Sequence, residues 1–135
     1  MAKKRAFTLI ELLFAACITG IAVFSLLASY VACIVLTETA NNITIATGDG
    51  QRVIEQIRSV GASSLASVRN TDWAAWAAAN GCDNLPDEQV LVTYDDRDGS
   101  GNALDDDPLA VVVNVVWQER ERARILDLHT LVTVR

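Results

Sequence analysis

Residues 2–14 read AKKRAFTLIELLF: three basic residues (Lys3, Lys4 and Arg5), then Ala6, then an apolar stretch carrying one carboxylate, Glu11. Beyond it, residues 12–37 contain no charged side chain. About 20 apolar residues suffice to cross a bilayer as a helix. An ionised carboxylate at the centre of such a segment costs about 2.5 kcal/mol or more, so Glu11 needs a partner and is the first candidate functional residue. The three leader charges all lie on one side of the run. By the positive-inside rule this predicts a cytoplasmic N-terminus and an exported C-terminal part. An ordinary secretory signal also starts basic, but its apolar core is about 7–15 residues long and carries no acid.

Working outward, the helical period continues past the uncharged run. Leu36, Ala40, Ile43, Ala46, Gly50, Val53, Ile57 and Val60 recur every three or four residues, the spacing of one apolar stripe. Glu38, Asn41, Asp49, Arg52, Glu55 and Arg58 fall on the opposite face, with Glu55 and Arg58 spaced for a surface pair. Gly48 and Gly50 each cost about 1 kcal/mol of helix propensity relative to Ala. The pattern predicts one continuous, locally soft helix over residues 7–60, about 80 Å long at 1.5 Å per residue. Gly61 is placed to stop it.

The string Phe-Thr-Leu-Ile-Glu beside a basic leader resembles the N-terminus of type IV pilins and type II secretion pseudopilins. In that family a basic leader is cut immediately before a Phe, the new amine is methylated, and a glutamate stands at the fifth mature position. On this chain the resemblance puts the cut between Ala6 and Phe7, with Ala6 where the family usually has Gly, and makes Phe7 the methylated residue and Lys3, Lys4 and Arg5 the leader. It implies processing by a prepilin peptidase, insertion in the inner membrane, and assembly through the helix by an inner-membrane platform into a filament of pilin or pseudopilin subunits. Glu11 then has a partner: the positive N-terminus of Phe7 in a neighbouring subunit, an attraction that is strong in low dielectric. The alternative for Glu11 is snorkelling to the headgroups from five residues inside the helix. The family's mid-segment proline is absent here, and Gly20 is the residue that would loosen the helix instead. The resemblance implies a structural subunit rather than an enzyme, and its small head looks more like a minor pilin or minor pseudopilin than an abundant one.

The fold class expected is α+β: the long helix, transmembrane over residues 7–36 and amphipathic over 37–60, packed on a small antiparallel sheet in a head formed by residues 61–135. About 75 residues make only a marginal core on their own and gain from packing on the helix. Residues 61–89 predict an irregular connection with one short helix that contains Trp73 and Trp76, is capped by Asn70 or Thr71 and ends before Gly81. Pro86 and Asp87 mark a turn. Strands are predicted over residues 90–94, 109–117 and 125–134, joined by connections short enough for an antiparallel meander. Leu109, Val111, Val113, Val115 and Trp117 share one face of the second strand; Leu126, Leu128, Val132 and Val134 share one of the third.

Without its leader the chain holds 8 basic and 17 acidic residues, net −9, which offers nucleic acid no footprint. Cys17 and Cys33 are roughly 24 Å apart on one helix and Cys82 stands alone in the head, so no internal disulfide framework is expected. In the acidic loop, Asp96, Asp98, Ser100, Gly101 and Asp107 match positions one, three, five, six and twelve of a calcium loop, which makes Asp96, Asp98, Ser100 and Asp107 candidate Ca2+ ligands. Leu104 at position nine, an Asp rather than Glu at twelve and flanking strands depart from that pattern; the other reading is a solvated hairpin rich in turn residues. A membrane-anchored, calcium-dependent adhesive module outside any filament is the alternative function. His129 on the polar face of the third strand reads as a surface histidine, the three tryptophans as packing, and residues 119–124 as a solvated, charge-alternating turn.

Overall fold

Neither proline of the chain falls in residues 9–61, and nothing else there breaks a helix. In the computed structural model, which describes residues 8–97, 99–104 and 106–133, this segment is one 53-residue helix, α1 (Leu9–Gly61). The hydroxyls of Thr19, Ser25, Ser29 and Thr37 each donate to the carbonyl four residues back, so these four side chains need no water. Two short helices, α2 (Leu65–Asn70) and α3 (Trp73–Ala79), and three strands, β1 (Gln89–Asp95), β2 (Leu109–Glu119) and β3 (Arg122–Val132), follow. The strands form an antiparallel sheet in the order β1-β2-β3, giving the α+β arrangement of a long helix on a three-stranded sheet.

The chain divides into two compact units, residues 1–38 and 39–135. In the first, the described residues contain no buried side chain; Leu9 is 81% exposed and Phe24 78%. This part of α1 is long and apolar enough to cross a membrane. In the second unit, Ala46, Asp49, Gly50, Val53, Ile54, Ile57 and Gly61 turn one face of α1 inward. They meet the inner face of β2, where Leu109, Val111, Val113, Val115 and Trp117 are at most 2% exposed. The register carries that face across the sheet: Val115 lies between Val90 and Leu126, Val113 between Val92 and Leu128, and Val111 between Tyr94 and Thr130. Each fully buried Val or Ile contributes about 1.5–3 kcal/mol of transfer free energy.

Several expectations need correction. Of the apolar stripe, Leu36, Ala40 and Ile43 are exposed, because β2 ends at Glu119, opposite Asn42, and no sheet lies further along. Asp49, read on the polar face, is 5% exposed and accepts a hydrogen bond from Asn84 Nδ2 at 3.0 Å. Arg58 donates Nε and Nη2 to Thr130 Oγ1 on β3. The connection holds two helices, not one, and their N-caps are Ser64, accepting from the Ser67 amide, and Asp72, accepting from the Ala75 amide. Helices of six and seven residues are unstable alone. The first is held because Trp73 Nε1 and Tyr94 Oη both donate to the carbonyl of Val68 near its C-terminal end. The second ends on Gly81 at φ +72°, with the Cys82 amide reaching back to the Ala77 carbonyl at 3.0 Å, the pattern of a Schellman cap. That cap buries Cys82 against Ala77. Burial, with Asp49 beside it, pushes the Cys82 thiol above its ordinary value. All three cysteines are free. Trp73 and Trp117 are core residues, and Trp76 is half-buried edge-on to Trp73 with ring centres 6.2 Å apart. Val134, expected on the third strand, lies outside the described residues.

The glycines of α1 divide by what faces them. A Cβ at Gly61 would run into Val132 Cγ1, a stiff and buried neighbour, whereas Gly48 faces open space. Gly48→Ala is therefore expected to raise the unfolding free energy of the full chain in detergent by up to about 1 kcal/mol. Gly61→Ala should lower it by about 1–3 kcal/mol through overpacking; denaturant titration of both variants checks the opposite signs.

Candidate functional site

Three places carry the chemistry-bearing residues. The first is the start of α1. Glu11 lies in its first turn, where the unpaired amides favour a negative charge, and the Glu11 and Leu12 amides close that turn on the Thr8 carbonyl. Its side chain is exposed, as are Leu9, Ile10, Leu12 and Leu13 around it. The processing-site residues Ala6 and Phe7 and the leader residues Lys3, Lys4 and Arg5 lie outside the described residues.

The acidic loop between β1 and β2 is the second. Asp96 collects the Gly99 amide on Oδ1 at 2.8 Å and the Gly101 amide on Oδ2 at 2.7 Å, so both carboxylate oxygens organise the loop's own backbone. Gly99 and Gly101 take positive φ to allow this. Ser100 Oγ accepts from the Asn102 amide, and Asp107 Oδ1 accepts from Thr133 Oγ1 at 2.9 Å, which draws that carboxylate toward the end of β3. Asp98 lies outside the described residues. Asp106, not singled out from sequence, is the buried acid here, accepting from the Arg97 amide at 2.8 Å. Among the described residues no group of three or more His, Cys, Asp or Glu is placed to hold a metal ion. His129 is exposed opposite Val112, on the outer face of the sheet.

The third place was read from sequence as a solvated turn, which holds for residues 120–124 and fails at Glu119. Arg120 and Glu121 form a two-residue hairpin loop with φ of +50° and +64°, the type I′ combination that matches strand twist. Glu119, just before it, is buried. Its Oε1 accepts from Asn42 Nδ2 at 3.2 Å and its Oε2 from Arg124 Nε at 2.9 Å. Hydrogen bonds from Thr39, then from Arg124 and Asn42, hold its carboxyl below the usual carboxylate range. The hairpin end of the sheet is thereby tied to α1 at residues 39 and 42. One signal in the sequence pointed to this: Glu119 is in phase with Leu109, Val111, Val113, Val115 and Trp117, so it had to face inward.

A carboxyl whose value is lowered by folding adds stability above the ordinary carboxylate range and loses it as pH falls through the lowered value. Glu119→Gln is accordingly expected to reduce the melting temperature at neutral pH and to flatten its fall on acidification, read by thermal scans from neutral pH to pH 3. Glu88, pushed up by burial, acts in the opposite sense and remains in both proteins. No family model, no curated protein and no solved structure matches this chain.

Proposed function

We propose that this chain is a non-enzymatic filament subunit of the type IV pilin and pseudopilin class, inserted in the inner membrane and then polymerised through α1. The observation that carries the reading is the state of residues 9–36: a helix with a single carboxylate in its first turn and an apolar surface that nothing among the described residues covers. That surface needs lipid before assembly and neighbouring helices after it. One acid at its end, with a freed amine four residues earlier in the same chain, supplies both halves of a repeating inter-subunit ion pair. Each subunit would give its amine to one neighbour and its carboxylate to another, a heterologous contact that propagates instead of closing. The second half of α1 supports the same reading, since it carries the sheet on a face made by residues 46–61 and leaves the rest of its circumference free.

Orientation follows from Lys3, Lys4 and Arg5, which favour a cytoplasmic N-terminus and place the sheet across the membrane. The small head fits a minor subunit of such a filament.

Two measurements test this. The intact mass of membrane-extracted protein is expected to correspond to a chain beginning at Phe7 with one methyl group added; a retained leader is the contrary result. Glu11→Ala is expected to stay in the membrane fraction while its incorporation into sheared filaments falls at least tenfold by immunoblot. Incorporation equal to the parent protein would end the pairing role.

A further inference from the structure

Where the connection from α3 to β1 lies against α1, ionisable side chains of both meet out of water. Asp49 on α1 is 5% exposed, and Cys82 in the connection is 2% exposed. Glu88 is in phase with Val90 and Val92, so its carboxyl turns to the same inner face of the sheet. Its Oε2 accepts from the Leu85 amide at 2.9 Å, while its Oε1 is buried and accepts no hydrogen bond among the described residues. Asp49 accepts from Asn84 Nδ2, which also donates to the Gly81 carbonyl at 2.8 Å. Arg52 brings a cation to the Cys82 side of the group, where it donates to the Asn80 carbonyl at 3.3 Å. The Gln118 amide donates to the Pro86 carbonyl at 2.9 Å, so the connection also runs beside the end of β2, next to the uncharged Trp117.

A carboxyl oxygen buried without a donor is costly when the group is charged and far less so when it is neutral. Burial pushes the Glu88 carboxyl above its ordinary range, Asp49 and Asp83 add to this, and the Leu85 and Asn84 amides oppose it. We propose that Glu88 is a proton-operated latch on the connection. Protonated, it lies closed against α1 with Oε1 buried; ionised, it turns out to solvent, releases the Leu85 amide and lets residues 81–88 lift from Asp49, uncovering the Cys82 thiol. The proton passes to water, and no other bond than hydrogen bonds is broken. The Leu85–Glu88 and Asn84–Asp49 contacts are neighbours in sequence, so losing the first loosens the second. A carboxyl raised in this way favours the closed form while it holds its proton and loses that contribution as pH rises through the raised value.

The full-length protein in detergent is followed by amide hydrogen exchange between pH 5 and pH 8, with the intrinsic pH dependence of exchange divided out. Protection across residues 82–88 is expected to fall about tenfold over this range, while that of residues 111–115 in β2 stays constant. Glu88→Gln keeps the shape without the charge and should hold protection at the low-pH level throughout. At pH 8, iodoacetamide should modify Cys82 about fivefold faster in the parent protein than in Glu88→Gln, read peptide by peptide so that Cys17 and Cys33 are told apart. Burial already sets the Cys82 thiol high and the Glu88 charge raises it further, which by itself would slow that reaction, so a faster parent reports opening. Constant protection over residues 82–88 in the parent overturns the proposal, and this result needs no variant should Glu88→Gln fold poorly. A fall that takes in residues 111–115 to the same extent overturns it as well, as does an undiminished fall in Glu88→Gln.

Discussion

One continuous helix has to satisfy two different surroundings. Along residues 12–37 α1 carries no charge and buries no side chain among the described residues, while along residues 46–61 it presents a single face to a sheet. Backbone hydrogen bonding runs through both parts, so the change is made entirely by side chains. The first part is apolar around its circumference; the second confines apolar and small residues to one side and puts Arg52, Glu55 and Gln56 on the other. A sheet can pack only on the second part, because only there is one side distinguishable from the rest.

The junction between these parts is where the polar contacts concentrate. Glu119 closes the inner face of β2, and three donors, Thr39, Asn42 and Arg124, satisfy it. A buried carboxylate left without such donors would cost more than the contact gives, so the arrangement specifies which residues of α1 lie beside the hairpin. Asp49 with Asn84 performs a similar task midway along the helix, and Arg58 with Thr130 near its end. Two of these contacts fix the register of α1 against β2 and β3, the Asn84 contact ties it to the connection before β1, and between them Gly50 lets the helix approach Leu128 and Val115 closely.

For function, the division has a direct consequence. The part of the chain that reads as an assembly surface makes no use of the sheet, and the sheet makes no use of Glu11. Small antiparallel sheets on helices serve many purposes, so the fold alone names none of them. The argument for a filament subunit stands on the carboxylate in the first turn, the leader charges and the uncovered apolar surface.

The long helix, the three strands and their inward faces were legible in the amino-acid sequence, because periods of 3.6 and 2 in side-chain polarity record which side of each element faces the interior. The apolar, uncharged run and the carboxylate in the first turn of the helix were legible for the same local reason. The two short helices were not separable from sequence, since their stability comes from Trp73 and Tyr94 reaching the Val68 carbonyl across the fold and not from propensity. Nor were the roles of Asp49, Gly61 and Arg58, each of which depends on an atom dozens of residues distant or more: Asn84 Nδ2, Val132 Cγ1 and Thr130 Oγ1. Local pattern determined which elements form and which way they face. Only the packed structure decided which buried polar groups meet, because a hydrogen bond is set by distance and angle, and no spacing along the chain specifies either between separate elements.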